Sequence, residues 1–328
     1  DDIWNIVHEL GSFVERKFYE SEAEQPGIAK VNEFLKKGYA KLSKGAIIMD
    51  LEEYKLGISV LLKSNGASLY ATKDIALAYI KSKEYKFDKS LYIVANEQDH
   101  YFRQLFKVLE LTNYPDADKL GHVSYGLVKL KDGKMSSRLG NIILYEDFRD
   151  QLFEKVESQI KERSLDTKTK QQIIKSVAFG AMKFTMLSQD SNKEIIFDYD
   201  RSLSFEGETG PYVQYTHARC ASLLKKYDKE ITSKVKFSLL IENEEKQIIK
   251  LLGKLPDTIK KSAEEYKPSL ISRLLLDICQ AFNEYYHKHQ ILQDNKELEK
   301  ARILLIYCVK QVLEIGLDLL GIDAPDVM

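Results

Sequence analysis

Cysteine is scarce in this sequence: the 328 residues contain three, Cys220, Cys279 and Cys308. They lie far apart, their number is odd, and no Cys-x-x-Cys pair occurs. A disulfide framework and a thiolate zinc site are therefore not expected, and the pattern is typical of a protein in a reducing cytoplasm.

The sequence also lacks an excess of charge and a long hydrophobic run. It carries 49 basic and 50 acidic residues, so any contact with nucleic acid must come from local patches of charge. No apolar run approaches the roughly 20 residues that span a bilayer, and we expect no membrane association. The first residues, Asp-Asp-Ile-Trp, provide neither an initiator methionine nor a signal peptide. We therefore expect an internal start, at an engineered boundary or in a trimmed product.

A chain of this length is too long for one small core and favours two domains. The apolar run at residues 90–94 is followed by a polar loop and a helical pattern, which is typical of a parallel α/β fold. Asn65-Gly66 predicts a tight turn between short strands within residues 45–70. Apolar spacing predicts helices over residues 1–20, 27–40 and 73–83, and a further strand over residues 122–131.

From about residue 145 the pattern becomes helical. We predict an α/β part over residues 1–145, a helical connector over 146–190 and an all-helical part over 191–328. A loop rich in Asp and Gly follows the connector, and amphipathic helices then continue to about residue 320. Breaks are predicted near Lys254–Pro256, Lys267-Pro268 and Asp294-Asn295.

A first candidate site is the loop of residues 131–140, Lys-Asp-Gly-Lys-Met-Ser-Ser-Arg-Leu-Gly. Two glycines enclose cations and hydroxyls, and such a loop can hold phosphates with backbone amides, hydroxyls and an ammonium group. An ordinary basic surface turn is the alternative interpretation.

A second candidate is Asp74, with Tyr70 four residues before it and Gln98 after the strand at residues 90–94. We place Asp74 in the first turn of a helix, where the helix dipole favours an ionised carboxylate. A carboxylate is a natural bidentate partner for a guanidinium group. The alternative is a surface aspartate that assists the start of the helix, with the tyrosine in the core.

A third candidate is the string Glu-Gly-Glu-Thr-Gly-Pro-Tyr-Val-Gln-Tyr-Thr-His-Ala-Arg at residues 206–219, in which a glycine turn opens a helix. Tyr212 and Tyr215 are three residues apart and share a helix face. Packing of both tyrosines in the helical core is the alternative. His287 and His289 in a later helix suggest a metal, but their spacing points them to different faces and no third ligand is evident, so we expect none.

These strings resemble motifs of the arginyl-tRNA synthetases, which are class I aminoacyl-tRNA synthetases. The loop Lys-Met-Ser-Ser-Arg is similar to the family's form of the KMSKS loop, and the stretch at residues 68–79 contains a string similar to its Tyr-x-Thr-x-Asp-Ile-Ala motif. Residues 207–219 resemble its Gly-Asn-Thr-Gly-Pro-Tyr-x-Gln-Tyr-x-His-x-Arg motif, with Glu208 in place of the common asparagine. The last ten residues, Leu-Leu-Gly-Ile-Asp-Ala-Pro-Asp-Val-Met, resemble the usual terminus of the family.

The resemblance implies roles for particular residues in this chain. Asp74 would bind the guanidinium of L-arginine, with Tyr70 and Gln98 lining the same pocket, and His100 would face the nucleotide. Lys134 would neutralise the departing pyrophosphate, with Met135, Ser136, Ser137 and Arg138 in the same ATP-binding loop. The residues implied to contact tRNA are Tyr212, Tyr215, Arg219, Tyr286 and Met328.

The resemblance implies a partial class I Rossmann-like catalytic domain followed by a helical-bundle, DALR-type anticodon-binding domain. It implies the use of ATP with Mg²⁺, L-arginine and tRNA(Arg), by a cytoplasmic monomer with no structural metal. None of the six histidines belongs to the HIGH-type motif of class I enzymes, so we expect this chain to be inactive alone. Two alternatives remain open: a non-catalytic tRNA-binding or scaffold protein derived from a synthetase, and another class I synthetase.

Overall fold

The structure is a computed structural model that describes residues 2–131, 144–160 and 166–328. The chain divides into two compact units, Asp1–Gly126 and Leu127–Met328. Each unit has its own hydrophobic core, as the length of the chain predicts. Within the described ranges, no helix is both long and apolar enough to cross a lipid bilayer.

The first unit combines helices with two small sheets. Its helices are α1 (Asp2–Glu9), α2 (Glu20–Lys36), α3 (Tyr70–Glu84) and α4 (Asp99–Leu111). Its strands are β1 (Lys41–Ser43), β2 (Ala46–Asp50), β3 (Ile58–Leu62), β4 (Ser90–Ala95) and β5 (Leu120–Tyr125). Strands β1 to β3 form an antiparallel sheet, and β4 pairs with β5 in parallel. The segment β4–α4–β5 is the predicted parallel α/β unit, which is therefore confirmed.

The tight turn at Asn65-Gly66 is also confirmed. Gly66 has a positive φ of 80°, and its amide donates to the Lys63 carbonyl at 2.9 Å. The Asn65 side chain accepts from the Ala67 amide at 3.0 Å, as expected of an Asx turn. This turn leads the chain from β3 into α3, the helix that carries Asp74.

Two predictions for the start of the chain are wrong. Residues 1–20 do not form one helix, because α1 ends at Glu9 and Gly11 takes a positive φ of 79°. The second helix begins at Glu20 rather than residue 27, although Pro26 lies inside it. At Gly27 the helix approaches α3 so closely that an added Cβ would lie 2.2 Å from the Thr72 carbonyl oxygen. The glycine therefore serves helix packing and does not mark a helix start.

The predicted strand over residues 122–131 is two strands. The first, β5, ends at Tyr125, and β6 (Val128–Leu130) begins the second unit. Strand β6 pairs in parallel with β7 (Ile195–Phe197) rather than continuing the pairing with β4. The apolar pattern runs through both strands, so periodicity alone does not reveal the change of partner.

The second unit consists mainly of helices. In addition to β6 and β7, it contains α5 (Tyr145–Gln159), α6 (Thr167–Leu187), α7 (Tyr199–Ser202), α8 (Gly210–Tyr227), α9 (Asn243–Leu252), α10 (Leu255–Glu265), α11 (Ser269–Lys288) and α12 (Lys296–Leu319). The three predicted helix breaks are confirmed by the gaps α9–α10, α10–α11 and α11–α12. Residues 228–242 are largely irregular, and β7 lies inside the part that we predicted to be all-helical.

A buried ion pair crosses the helical core of the second unit. Arg302 on α12 donates through Nε to Glu245 on α9 at 2.8 Å, and both side chains are almost completely buried. Arg302 also donates to the Gln290 carbonyl at 2.8 Å, and the Tyr285 hydroxyl donates to Glu245 at 3.3 Å. The network satisfies both charges, and removal of one partner would leave the other charge buried and unpaired.

We expect Arg302→Met to lower the free energy of unfolding of the helical unit by about 3–5 kcal/mol. The double variant Glu245→Leu/Arg302→Met should recover most of this loss, because no charge then remains buried. Urea unfolding followed by circular dichroism measures both values. The assignment would be wrong if the double variant were destabilised by the sum of the two single losses.

Candidate functional site

Asp74 lies in the second turn of α3, not in the first turn as we predicted. The helix begins at Tyr70, so Asp74 is its fifth residue, and the first turn contains no acidic residue. The helix dipole acts mainly within the first turn and is therefore not the main influence on this carboxylate. Its hydrogen-bond partner is the Tyr101 hydroxyl, which donates from α4.

The surroundings of Asp74 raise its pKa. Burial is the largest cause, while the hydrogen bond from Tyr101 and the charge of Lys81 act in the opposite direction. Within the described part of the chain, no cation lies at ion-pair distance from this carboxylate. Lys81 instead donates to the Ser90 hydroxyl at 3.1 Å and lies 4.1 Å from the centre of the Tyr92 ring. Asp74 is thus a half-buried carboxyl group whose charged form a nearby cation would stabilise.

The other predicted pocket residues lie on α3 and at the start of α4, and all of them are exposed to solvent. Tyr70 is one helical turn before Asp74, and three quarters of its surface is exposed. Gln98 follows the carboxyl end of β4, and His100 lies in the first turn of α4; both are exposed. In a parallel sheet this end of a strand is where ligands bind. The direct partner of Asp74 is nevertheless Tyr101, which the sequence pattern did not identify.

The predicted phosphate loop cannot be placed. Lys134, Met135, Ser136, Ser137 and Arg138 lie outside the described residues. Lys131, the last described residue before them, forms an ion pair of 2.6 Å with Asp198, which follows β7. The roles of the five loop residues stay predictions.

A cluster on α8 and α11 brings together four of the residues predicted to contact tRNA. The tyrosine–arginine cluster consists of Tyr212, Tyr215, Arg219, Asn283 and Tyr286. Arg219 donates to the Tyr215 hydroxyl at 3.1 Å and to the Asn283 side-chain oxygen at 2.8 Å. Its guanidinium carbon lies 4.7 Å from the Tyr215 ring centre and 5.1 Å from that of Tyr286. Asn283 completes the network by donating to the Tyr212 hydroxyl at 2.9 Å.

The electrostatics of this cluster favour an anion. Within the described ranges every partner of Arg219 is neutral, and no carboxylate lies at ion-pair distance from it. Its side chain is only partly buried, so its positive charge reaches solvent without a counter-charge. Partly buried tyrosine rings beside an uncompensated guanidinium suit a ligand that combines flat bases with phosphates.

Glu208, the residue at which this sequence departs from the family motif, has a hydrogen-bond partner of its own. Glu208 accepts from Arg273 on α11 at 2.8 Å, and both side chains are well exposed. The glutamate thus belongs to a surface ion pair close to the start of α8. Such exposed pairs contribute little to stability, so the pair does not explain why glutamate stands here.

Two family models match the chain. The model described as "tRNA synthetases class I (R), catalytic domain" matches residues 13–199, and the "DALR anticodon binding domain" model matches residues 213–328. The arginine–tRNA ligase of Halothermothrix orenii is 42% identical over 298 residues, which cover 91% of this chain and 53% of that protein. That of Clostridioides difficile is 41% identical over 292 residues, covering 89% of this chain and 52% of that protein.

The chain belongs to the arginyl-tRNA synthetase family. Its fold agrees with the arginyl-tRNA synthetase of Thermus thermophilus, with a TM-score of 0.86 at 27% identity over 99% of this chain and 62% of that chain. The synthetase of Plasmodium falciparum gives 0.81 at 23% identity over 100% and 56%, which shows the fold alone. The predicted order of a class I catalytic part followed by a DALR-type helical part is confirmed. The chain spans about half the length of the curated relatives it matches.

The two family models and the two compact units of the structure divide the chain at different points. The models leave residues 200–212 between them, whereas the compact units meet at Gly126 and Leu127. Strand β7 contributes to this difference, because it belongs to the catalytic model but pairs with β6 in the second unit. The predicted boundaries at 145 and 190 stay predictions.

The remaining predicted tRNA contact and one residue of the histidine pair lie outside the tyrosine–arginine cluster. Met328, the last residue, is half-buried. His289 lies with Glu242 and Glu244 in a group whose ligand atoms are within 4.8 Å of one another, a set that the sequence did not suggest. Glu244, however, already accepts from Lys288 at 2.8 Å and pairs with His289 at 3.2 Å. We assign no metal to this group, since a lysine ammonium already neutralises it.

We expect Asp74→Asn to stabilise the chain at pH 7. Burial raises the pKa of Asp74 above its ordinary value of 3.8, so the folded state favours the protonated acid. The associated stability is present below pH 3.8 and is lost as the pH rises through the folded pKa. The asparagine keeps an acceptor for Tyr101 and carries no charge, so its advantage over the wild type should grow over that window.

Urea unfolding at pH 3, pH 4 and pH 7 measures the difference between each variant and the wild type, because a lowered carboxyl pKa acts below pH 3.8 and a raised one above it. Asp50→Asn is the matched control of opposite sign, because the Lys41 ammonium lowers the pKa of Asp50. That control should lose stability relative to the wild type as the pH rises. An Asp74→Asn variant that followed the same trend as Asp50→Asn would show that the carboxylate is stabilised in the folded protein.

Proposed function

We propose that this chain takes part in the ATP-dependent attachment of L-arginine to tRNA(Arg), with Asp74 as the residue that binds the substrate guanidinium. The observation that carries the proposal is the half-buried carboxylate of Asp74 with one tyrosine donor and no cation at ion-pair distance among the described residues. A guanidinium presents paired donors to a carboxylate and is always charged. Its arrival would supply the cation that the site lacks.

The environment of Asp74 also favours arginine over smaller cations. Tyr101 holds one carboxylate oxygen, Oδ2, from α4, so the orientation of the acid is fixed before the substrate binds. Tyr70 stands one turn away with an exposed ring, which suits the flat face of a guanidinium. Gln98 and His100 follow the same strand end, and we propose that they contact the substrate and the nucleotide respectively.

The chemistry follows from the family's two steps. In the first, an oxygen of the arginine carboxylate attacks the α-phosphorus of ATP, the bond to the bridging oxygen breaks and pyrophosphate leaves. In the second, a ribose hydroxyl of the tRNA attacks the carbonyl carbon of the arginyl-adenylate, and AMP leaves. We propose that Lys134 and its loop, with Mg²⁺ bound to ATP, stabilise the charge on the departing pyrophosphate. Asp74 contributes by positioning, without a covalent enzyme intermediate.

We further propose that the tyrosine–arginine cluster is an RNA-binding surface. The support is the set of partly buried rings held around an uncompensated guanidinium on two adjacent helices. Arg219 keeps the Tyr215 and Tyr286 rings apart and oriented, so that a base can stack without first ordering them.

Asp74→Ala should raise the KM for arginine on the order of 10- to 100-fold in arginylation, because a charge-assisted hydrogen-bonded pair is lost. The assay requires the polypeptide at the full length of its relatives. Glu84→Gln removes a carboxylate from the end of the same helix and should leave the KM unchanged. Undiminished arginylation by Asp74→Ala at low arginine would reject the pocket. Absence of arginine-dependent pyrophosphate exchange in the wild type with tRNA(Arg) present would instead favour a non-catalytic RNA-binding protein.

Tyr286→Ala should weaken tRNA(Arg) binding by roughly 5- to 100-fold, the usual effect of losing one stacked base. Fluorescence anisotropy at two salt concentrations measures the affinity and separates stacking from charge. Tyr307→Ala, at an exposed tyrosine of α12, is the matched control. Equal affinities of the two variants would exclude the cluster from the RNA interface.

A further inference from the structure

Lys81 lies two helical turns after Asp74, on the same face of α3. A separation of seven residues corresponds to about 700° of rotation, which is close to two full turns. Two residues of β4 hold its ammonium group. The ammonium donates to the Ser90 hydroxyl at 3.1 Å and lies 4.1 Å from the centre of the Tyr92 ring. Ser90 and Tyr92 are each 9% exposed, so a buried part of the strand fixes the position of this charge.

The charge of Lys81 has no partner at ion-pair distance. Among the described residues, no carboxylate lies that close to its ammonium, and Asp74 is the acid that acts on it from further away. Burial lowers the pKa of Lys81, whereas the charge of Asp74 raises it. In return, the charge of Lys81 lowers the pKa of Asp74. A partly buried ammonium is unfavourable without an anion nearby, and an apolar side chain would pack against the Tyr92 ring without that penalty.

The tyrosine hydroxyls beside Asp74 cannot supply a charge. The Tyr101 hydroxyl donates to Asp74, and in the described part of the chain the Tyr92 hydroxyl is buried without a hydrogen-bond partner. Burial and the charge of Asp74 raise the pKa of both hydroxyls above its ordinary value, so both are neutral. Two phenylalanine rings of α4 also fix the Tyr92 ring, with centres 5.2 and 5.4 Å from its own. Tyr92 therefore serves as a rigid support for the ammonium.

The elements that pack against α3 bring one further charge to Asp74. Glu20 of α2 raises the pKa of Asp74, but Lys73 pairs with Glu20 at 2.5 Å and offsets its charge. Strand β3 carries no charged residue, and the group that α4 presents to this carboxylate is the neutral Tyr101. Within the described ranges, Lys81 is thus the cation that acts against the effect of burial on Asp74.

We propose that Lys81 is a positioning residue for arginine, which keeps Asp74 ionised while Ser90 and Tyr92 hold it off the carboxylate. The inference rests on the proposed function of Asp74. Coulomb attraction falls with the first power of distance, so an ammonium beyond ion-pair distance still stabilises the charged acid. A lysine in direct contact would occupy the oxygens of the acid and would have to leave before a guanidinium could bind. The observed arrangement leaves the carboxylate both charged and open.

The electrostatic half of the proposal is tested without substrate, by a double-mutant cycle of urea unfolding on this chain. At pH 7, the effect of Lys81→Met on the ratio of folded to unfolded protein should be less favourable by about threefold or more in the wild type than in Asp74→Asn. Attraction to an ionised carboxylate contributes at a pH above the pKa of the acid and is lost as the pH falls. At pH 3 Asp74 is protonated, so the two backgrounds should respond alike.

Lys83→Met is the matched control for this cycle. Lys83 is an exposed residue of α3 on the opposite side of the helix from Lys81, so it should show no coupling to Asp74 at either pH. Lys81→Arg keeps the charge and should retain most of the coupling. Equal effects of Lys81→Met in the two backgrounds at pH 7 would overturn the proposal.

The substrate half is tested by the pH dependence of arginylation, with tRNA(Arg) present and the polypeptide at the full length of its relatives. Lys81→Met should move the acid limb of kcat/KM for arginine to higher pH. Its KM for arginine should exceed the wild-type value about threefold or more at the acid end of the profile, the effect of a half-unit shift in pKa. In alkaline solution Asp74 is ionised without help, so the KM should be no higher than in the wild type.

Lys81→Arg should restore the wild-type pH profile, and Lys83→Met should leave it unchanged. A KM raised by the same factor at every pH would show that Lys81 serves only the packing of α3 against β4, and would overturn the proposal.

The two measurements separate this inference from the proposed function. If the full-length wild type attaches no arginine, the proposed function and the substrate half of the inference fail together, while the unfolding cycle still decides whether Lys81 stabilises the ionised acid. If arginylation depends on Asp74 but neither the cycle nor the pH profile responds to Lys81, the proposed function stands and this inference alone is wrong.

Discussion

A half-buried carboxylate that lacks a counter-cation is unfavourable to a folded protein, and the proposed function of this chain depends on one. Burial raises the pKa of Asp74, and the hydrogen bond from Tyr101 and the charge of Lys81 compensate only in part. A core chosen for stability alone would carry an apolar or amide side chain here. In the proposed function a bound guanidinium would offset this unfavourable free energy, since the ligand would supply the missing charge in a site already oriented by Tyr101.

The helical unit contains an uncompensated positive charge, that of Arg219, and for contrast a compensated one, that of Arg302. Arg302 and Glu245 are almost completely buried and satisfy each other, so they stabilise the bundle and are closed to ligands. Arg219 is held by two tyrosines and an asparagine, all neutral, and its charge remains available. Both arginines are hydrogen-bonded. The partner of Arg302 carries a compensating charge, so that arginine has a structural role, whereas the partners of Arg219 do not, so its charge can attract a ligand.

Local sequence was sufficient for features whose cause is local. The turn at Asn65-Gly66, strand β4 and the helix breaks all follow from turn chemistry or from a few consecutive side chains. Features that depend on residues distant in the sequence could not be predicted from local patterns. Gly27 stands where the sequence predicts the start of a helix, but its role is to permit close contact with Thr72. Strand β6 continues the apolar pattern of β5, although it pairs with β7. Tyr101 and Asn283, which orient Asp74 and the tyrosine–arginine cluster, are distant in sequence from the residues they hold.

Some residues of the string at 210–219 serve the packing of α8 and need not contact a ligand. At its start, a Cβ on Gly210 would lie 2.3 Å from the Gly180 carbonyl, so this residue sets the distance between α6 and α8. That distance leaves Gln214 enclosed by three elements, while Tyr212, Tyr215 and Arg219 occupy the face with the aromatic cluster. A change at Gly210 would therefore disturb the face that carries the tyrosine–arginine cluster through the packing face, because both are sides of the same rigid helix. The residue types follow from the two faces together, because helix packing accounts for Gly210 and Gln214 and the aromatic cluster accounts for Tyr212, Tyr215 and Arg219.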